Sequence, residues 1–226
     1  MTVVRRPRRW RWWQPAAVAA AAVLTVALTQ STTGAVFTGQ TVDTGNAVTA
    51  GSQFCTAPGA IAPLVATADT AVYQAAATTN YGSATGIGVG SGVGVNAYSY
   101  VKFTLPTAPS GCLVASAVLK VYASQSQAAT ISVSRASVAW NAATITWNTV
   151  GKPVPAGTPV NVAMPGVVGF QQWTVTALTQ QLMTGPDYGF MLKDSVDDAA
   201  SARYQTWDSS EGATSTQRPQ LTITWG

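Results

Sequence analysis

From Ala66 to the C-terminus, apolar and polar residues alternate in short runs separated by clusters of Gly, Pro, Asn and Ser. A two-residue period places successive side chains on opposite faces of a strand, so each run reads as a half-buried β-strand. Over Tyr98 to Leu105, Val101, Phe103 and Leu105 share the face assigned to the core, and Tyr98, Tyr100, Lys102 and Thr104 share the other. The same rhythm runs through Ser116 to Tyr122, Thr130 to Val138, Thr144 to Trp147 and Tyr188 to Lys193. It returns in the last strand, where Leu221, Ile223 and Trp225 fall on one side. One stretch breaks the period. In Thr176 to Met183, Leu178, Leu182 and Met183 recur at helical spacing, with Thr176 as the N-cap and Gly185-Pro186 as the stop, which predicts one short helix. Residues 82 to 95 are glycine-rich but lack the Gly-Lys-Ser/Thr of a phosphate loop, and read as turns and a bulged strand. Many short strands with turn signals between them predict an all-β, antiparallel, jelly-roll-like β-sandwich with one short helix.

Ahead of this region the pattern is different. Residues 1 to 13 are basic and tryptophan-rich, Pro15 to Leu28 is an apolar run, and Thr29 to Gly34 is polar. This is the layout of a secretory signal peptide, and the apolar run is shorter than the ~20 residues a spanning helix needs. Cleavage is expected after Ala35. The chain then divides into a signal peptide over 1–35, an extended segment over 36–56 and one sandwich domain over 57–226.

Charge changes the picture once its origin is traced. Of twelve Lys and Arg residues, Arg5, Arg6, Arg8, Arg9 and Arg11 belong to the leader, and the other seven face eight acids. Without the leader the chain offers no basic field, so nucleic-acid binding is excluded. The chain contains no histidine, which removes imidazole triads, most zinc sites and the ordinary neutral-pH proton shuttle. Cys55 and Cys112 are the only cysteines. In an exported chain they are expected to pair, tying the start of the domain to the turn Pro109-Ser110-Gly111; the alternative is two buried thiols.

Seven segments in order resemble the DNRLRE-type β-sandwich domains of secreted bacterial and archaeal proteins. They are ADTAVYQAAATTNYGSA from Ala68, YVKFTL from Tyr100, ASAVLKVYAS from Ala115, ATITWNTVGKP from Ala143, WTVTALTQQLMTG from Trp173, YGFMLK from Tyr188 and WDSSEGATSTQRPQLTITW from Trp207. The resemblance implies a jelly-roll-like sandwich and, since some such domains are carbohydrate-binding modules, an extracellular polysaccharide as partner. Ser210 and Tyr98 depart from the family pattern, where arginine is usual at both places. Residues 35 to 51 resemble the mature start of camelysin-type and biofilm-fibre surface proteins. That resemblance implies self-assembly by strand addition through residues 36–51, with a plain tether as the alternative.

Sugar binding needs flat aromatic rings and a few hydrogen-bonding groups. Tyr98, Tyr100 and Lys102 supply these on one outward strand face, unless those side chains cover a second sheet or a loop. Trp140, Trp147, Trp173 and Trp225 are read as core. Asp194, Asp197 and Asp198, with Asp208 and Glu211 beyond, lie in loops that either stay solvated or bind calcium, which takes six to eight oxygens; no cofactor is otherwise required. Asp208 and Glu211 are the nearest approach to a glycosidase pair, but odd spacing on a strand sends them to opposite faces. Under the family resemblance, Glu211 and Arg218 are structural, forming an ion pair or capping contact on the final strand. The reading is a binding protein, secreted or on the cell surface, and not an enzyme. A structural surface subunit is the alternative, and a polysaccharide hydrolase is a third.

Overall fold

The computed structural model describes residues 54–152 and 154–226. The expected leader over 1–35 and the segment 36–51 with its fibre-type resemblance lie outside the described residues. Twelve strands follow in chain order: β1 (Gly59–Ala60), β2 (Leu64–Val65), β3 (Ala68–Tyr73), β4 (Gly86–Ser91), β5 (Ala97–Lys102), β6 (Val114–Gln125), β7 (Ala128–Arg135), β8 (Ala156–Pro165), β9 (Gly169–Thr174), β10 (Phe190–Asp194), β11 (Arg203–Asp208) and β12 (Gln220–Trp225). They pair in the order β1-β12-β6-β11-β4-β5-β10-β7-β8, with β2 on β12, β3 on β5 and β9 on β6. The pairings are antiparallel.

This ribbon curls so that its two halves bury their inward residues against each other. Leu119 and Val121 of β6, Trp173 of β9, Trp207 of β11 and Ile223 of β12 meet Val101 of β5, Phe190 and Leu192 of β10, and Ile131 and Val133 of β7 in one core. Trp173 and Trp207 pack edge to face at 6.0 Å, and the Trp173 indole N–H donates to the Ile131 carbonyl at 3.2 Å, joining β9 to β7. The two-residue rhythm shows most plainly in β6, β9, β11 and β12, where alternate residues leave water at about 25 cal/mol per Å² of apolar surface, whereas β3, β4, β5 and β10 are buried on both faces.

Local details depart from the sequence expectation in three places. Thr144 to Trp147 is not a strand; it enters a second short helix, α1 (Trp147–Val150), where the Thr149 hydroxyl accepts the Thr146 N–H at 2.9 Å. In α2 (Thr176–Thr184), Val175 holds the N-cap position, and the Thr176 hydroxyl instead accepts the Ala117 N–H at 3.0 Å, pinning the helix to β6. The glycine-rich β4 is not bulged, since its six residues pair with β11 without a register shift.

Cys55 and Cys112 form a disulfide, with Cα atoms 4.1 Å apart and a sequence separation of 57. Thr56 adds two bonds to the Ser110 carbonyl, from its N–H at 3.0 Å and its hydroxyl at 3.1 Å. A loop of this length closed by a disulfide contributes about 4 kcal/mol in the chain-entropy account.

Candidate functional site

Tyr98 and Tyr100 lie on the outward side of β5, but they are only 1% and 0% exposed. The chain after β7 folds back over them. Trp147 stacks on Tyr98 at 5.2 Å and Trp140 tilts onto Tyr100 at 5.6 Å. With Val72, Ala136, Ile145 and Met191 they form a second apolar cluster outside the main core. The flap is tied down by the Trp140 indole N–H to the Tyr188 carbonyl (2.6 Å) and by the Asn80 amide to the carbonyls of Ala142 and Ile145 (both 2.7 Å). The expected exposed sugar platform of Tyr98, Tyr100 and Lys102 is therefore corrected: two large aromatic side chains were cheaper to cover than to leave wet. Lys102 alone stays half-buried, 5.0 Å from the Trp140 ring centroid. Trp173 and Trp225 are core, whereas Trp140 and Trp147 are half-buried and form this roof.

The acids of the β10–β11 connection do not converge. Asp194 is buried and takes the Arg203 guanidinium in two bonds, at 2.6 and 2.8 Å. Asp197 faces Lys193 at 2.7 Å and accepts the Tyr98 hydroxyl at 3.0 Å. Asp198 meets Lys152 at 2.9 Å and Asn96, and these bonds hold its carboxyl below the usual carboxylate range. Among the described residues no group of three or more His, Cys, Asp or Glu side chains is placed to hold a metal ion. Arg203 takes Asp194, while Lys193 and a shared Lys152 (3.6 and 2.9 Å) take Asp197 and Asp198, so cations of the chain itself occupy the oxygens of the expected calcium ligands.

Arg218 makes the capping contact and not the ion pair: its Nε donates to the Gly212 carbonyl at 3.0 Å. Glu211 instead accepts the Ser210 hydroxyl. Its charge acts on Asp69, a buried carboxyl that sequence reading passed over. Asp69 accepts the Ser210 N–H at 2.7 Å through Oδ2, while Oδ1 has no partner. Burial, with the negative Glu211 adding to it, pushes the Asp69 carboxyl up to about 7. The signal was present in the sequence, because Asp69 shares strand parity with the core residue Ala71.

The open aromatic surface lies elsewhere, on the outward face of β6, β9, β11 and β4. Phe170 of β9 pairs with Tyr122 of β6, their rings edge to face at 5.1 Å, and Lys120 sits 3.8 Å from the Phe170 ring centroid. On β11, Tyr204 lies over the glycines of β4. A Cβ at Gly88 would collide with its ring and hydroxyl, and one at Gly90 would stand 2.7 Å from its Cδ2. The Tyr204 hydroxyl bonds that of Tyr73 at 2.9 Å, and Tyr73 packs edge to face on Tyr81. Alternating glycines thus seat a flat ring on a strand face without side chains, while Ile87 and Val89 point to the core. Phe170 is 45% exposed and Tyr204 38%. Around them stand Ser124, Thr206 and Gln172, neutral hydrogen-bonding side chains that reach solvent. Half-exposed rings, each with one side already covered by Lys120 or by the β4 glycines, beside hydroxyl and amide groups are chemistry that can hold a sugar.

A cleft of about 650 Å³ opens beside the disulfide, lined by Leu105, Leu113, Leu182, Met183 and Trp225. Its Gln180 amide is already donated to the Val114 carbonyl at 2.8 Å. Of its other polar lining, the Thr184 hydroxyl is donated to the Gln180 carbonyl at 3.0 Å and Asp187 accepts the Gly189 N–H at 3.0 Å, and its one ring, Trp225, is buried.

No curated protein matches the chain. The profile of carbohydrate-binding module family 96 matches residues 60–225, which covers the sandwich from β2 to β12. With that match spanning most of its length, the chain belongs to carbohydrate-binding module family 96.

Proposed function

We propose that the protein is a secreted or cell-surface, non-catalytic module of the DNRLRE type that binds an extracellular polysaccharide through the outward face of β6, β9, β11 and β4. The observation that carries this reading is the pair of exposed rings, Phe170 and Tyr204, on a face of neutral hydrogen-bonding side chains in a chain of this family. The disulfide supports an oxidising compartment outside the cytoplasm, as does the leader-like start of the sequence. The binding step is stacking of pyranose faces on the rings, with Thr206, Ser124 and Gln172 exchanging bonds with sugar hydroxyls.

Affinity electrophoresis in gels containing soluble polysaccharides tests the reading. Wild-type protein is expected to be retarded in at least one gel, and a Phe170→Ala, Tyr204→Ala double variant to run freely while keeping its circular-dichroism spectrum. Retardation unchanged in the double variant, but lost on replacing Trp140 and Lys102, would move the site to the opposite layer.

A further inference from the structure

Besides its faces, a sandwich offers the edges of its sheets, and β8 is such an edge. It ends the pairing order, bonded to β7 and to no other strand among the described residues. Which of its backbone groups stay free follows from β7. The Thr130 carbonyl accepts the Ser195 N–H at 2.8 Å, and the Ala136 N–H is donated to the Gly189 carbonyl at 2.9 Å, so the even-numbered residues of β7 turn toward β10. Ala129, Ile131 and Val133 turn the other way and pair with Met164, Val162 and Val160 of β8. Pro159, Asn161, Ala163 and Pro165 therefore aim their backbone groups away from the sheet. The prolines have no N–H, so the free donors of this edge lie between them, on Asn161 and Ala163.

We infer that β8 docks a second copy of this chain, the two strands pairing antiparallel about a two-fold axis through Val162. Proline, donor, donor, proline reads the same in both directions along the edge. With Val162 opposite Val162, Asn161 of each copy faces Ala163 of the other, and every free N–H meets a carbonyl. Pro159 then faces Pro165 at both ends, where the ladder stops. Each copy spends its edge once, so the assembly closes as a pair and does not grow into a fibre. The apolar surface agrees with this partner. Val160 and Val162 turn toward the core but remain part-exposed, and a strand beside them covers them. Val154 precedes β8 while Val167 and Val168 follow it, all more than half exposed, and an antiparallel partner brings the start of one strand beside the end of the other. Charge, the common guard of a sheet edge, is missing: no Asp, Glu, Lys or Arg occurs between Lys152 and Asp187. Like charges therefore do not meet across the axis.

Two paired strands bury less than the ~1,200–2,000 Å² of a standard stable interface, so the pair is expected to come apart on dilution. Sedimentation velocity on the purified chain, diluted from about 500 to about 5 µM, should show a reversible dimer-to-monomer conversion and no larger species. Ala163→Lys changes an exposed side chain and places two ammonium groups beside the axis. It is expected to move the midpoint of the conversion at least about tenfold higher in concentration, with the circular-dichroism spectrum unchanged. Ala163→Pro removes a donor that β7 does not use and should act in the same direction. Val162→Cys is expected to give a covalent dimer under mild oxidation, and Thr158→Cys is not. A monomer at every concentration, or a dimer unmoved by both Ala163 variants, would overturn the inference. Cross-linking of Thr158→Cys without that of Val162→Cys would overturn the register, and a series of larger species the closed pair. Ala163 lies outside β6, β9, β11 and β4, so polysaccharide retardation should persist in both variants, and the pair and the proposed binding face stand or fall separately.

Discussion

The two outward faces of this sandwich start from the same material and end differently. On one, β5 presents Tyr98 and Tyr100, and both are sealed beneath Trp147 and Trp140. On the other, β6, β9 and β11 present Tyr122, Phe170 and Tyr204, and the last two keep more than a third of their surface in water. Strand periodicity is the same in both. What differs is the connection beside each face: residues 136–155 after β7 are long enough to return over β5 with two tryptophans, whereas only residues 166–168 join β8 to β9. Outward therefore does not mean exposed. A face of a sheet is open to a ligand only where no connecting segment has claimed it.

The broadest way to break the comparison is to weaken both faces together. Replacing Cys55 and Cys112 by Ser is expected to cost about 4 kcal/mol in urea unfolding, while the folded fraction keeps its polysaccharide retardation. Next, Tyr100→Ala on the sealed face should cost about 3 kcal/mol, the low end for losing a buried aromatic, because its hydroxyl has no partner. Binding by the folded variant should be unchanged, and a loss of binding without loss of structure would restore the sealed face as the site.

A third prediction concerns the buried acid that belongs to neither face. Asp69 has its folded pKa raised to about 7, against an ordinary value near 3.9. Between these values the folded state holds more protons than the unfolded one, so this group's contribution is fully present at low pH and is lost as pH rises through 7. The melting temperature of the wild type should fall from pH 5 to pH 8. Asp69→Asn should remove most of that slope; equal slopes in the two proteins would show that Asp69 is ionised throughout. The smallest stability effect belongs to the open face. Phe170→Ala and Tyr204→Ala should each change unfolding free energy by under about 1 kcal/mol and polysaccharide affinity by about tenfold, a pairing that the sealed face cannot show.

The core was legible because parity alone assigns it. Val101 and Phe103, Leu221 and Ile223, and Trp173 and Trp225 all went where a two-residue period sends them, and Leu178 and Leu182 buried one side of α2 as helical spacing requires. The binding surface was harder to read for a physical reason. Gly88 and Gly90 looked like turn residues, since a glycine reports only that a side chain is missing and not that a ring from β11 fills the gap. Tyr204 and Phe170 stand alone in their segments, far apart in sequence, and became neighbours on one face only through pairing with β6.

By itself, then, the sequence determined the all-β class, the inward set of each strand, the absence of histidine chemistry and the two cysteines available for a bridge. These depend on side-chain type and on distances of a few residues, which are local properties. Tertiary structure alone decided which outward face was roofed, where Asp194, Asp197 and Asp198 found their cations, and how a ring from β11 came to lie on the glycines of β4. Those outcomes depend on which distant segments the fold brings together, and no period of two or of 3.6 residues encodes that.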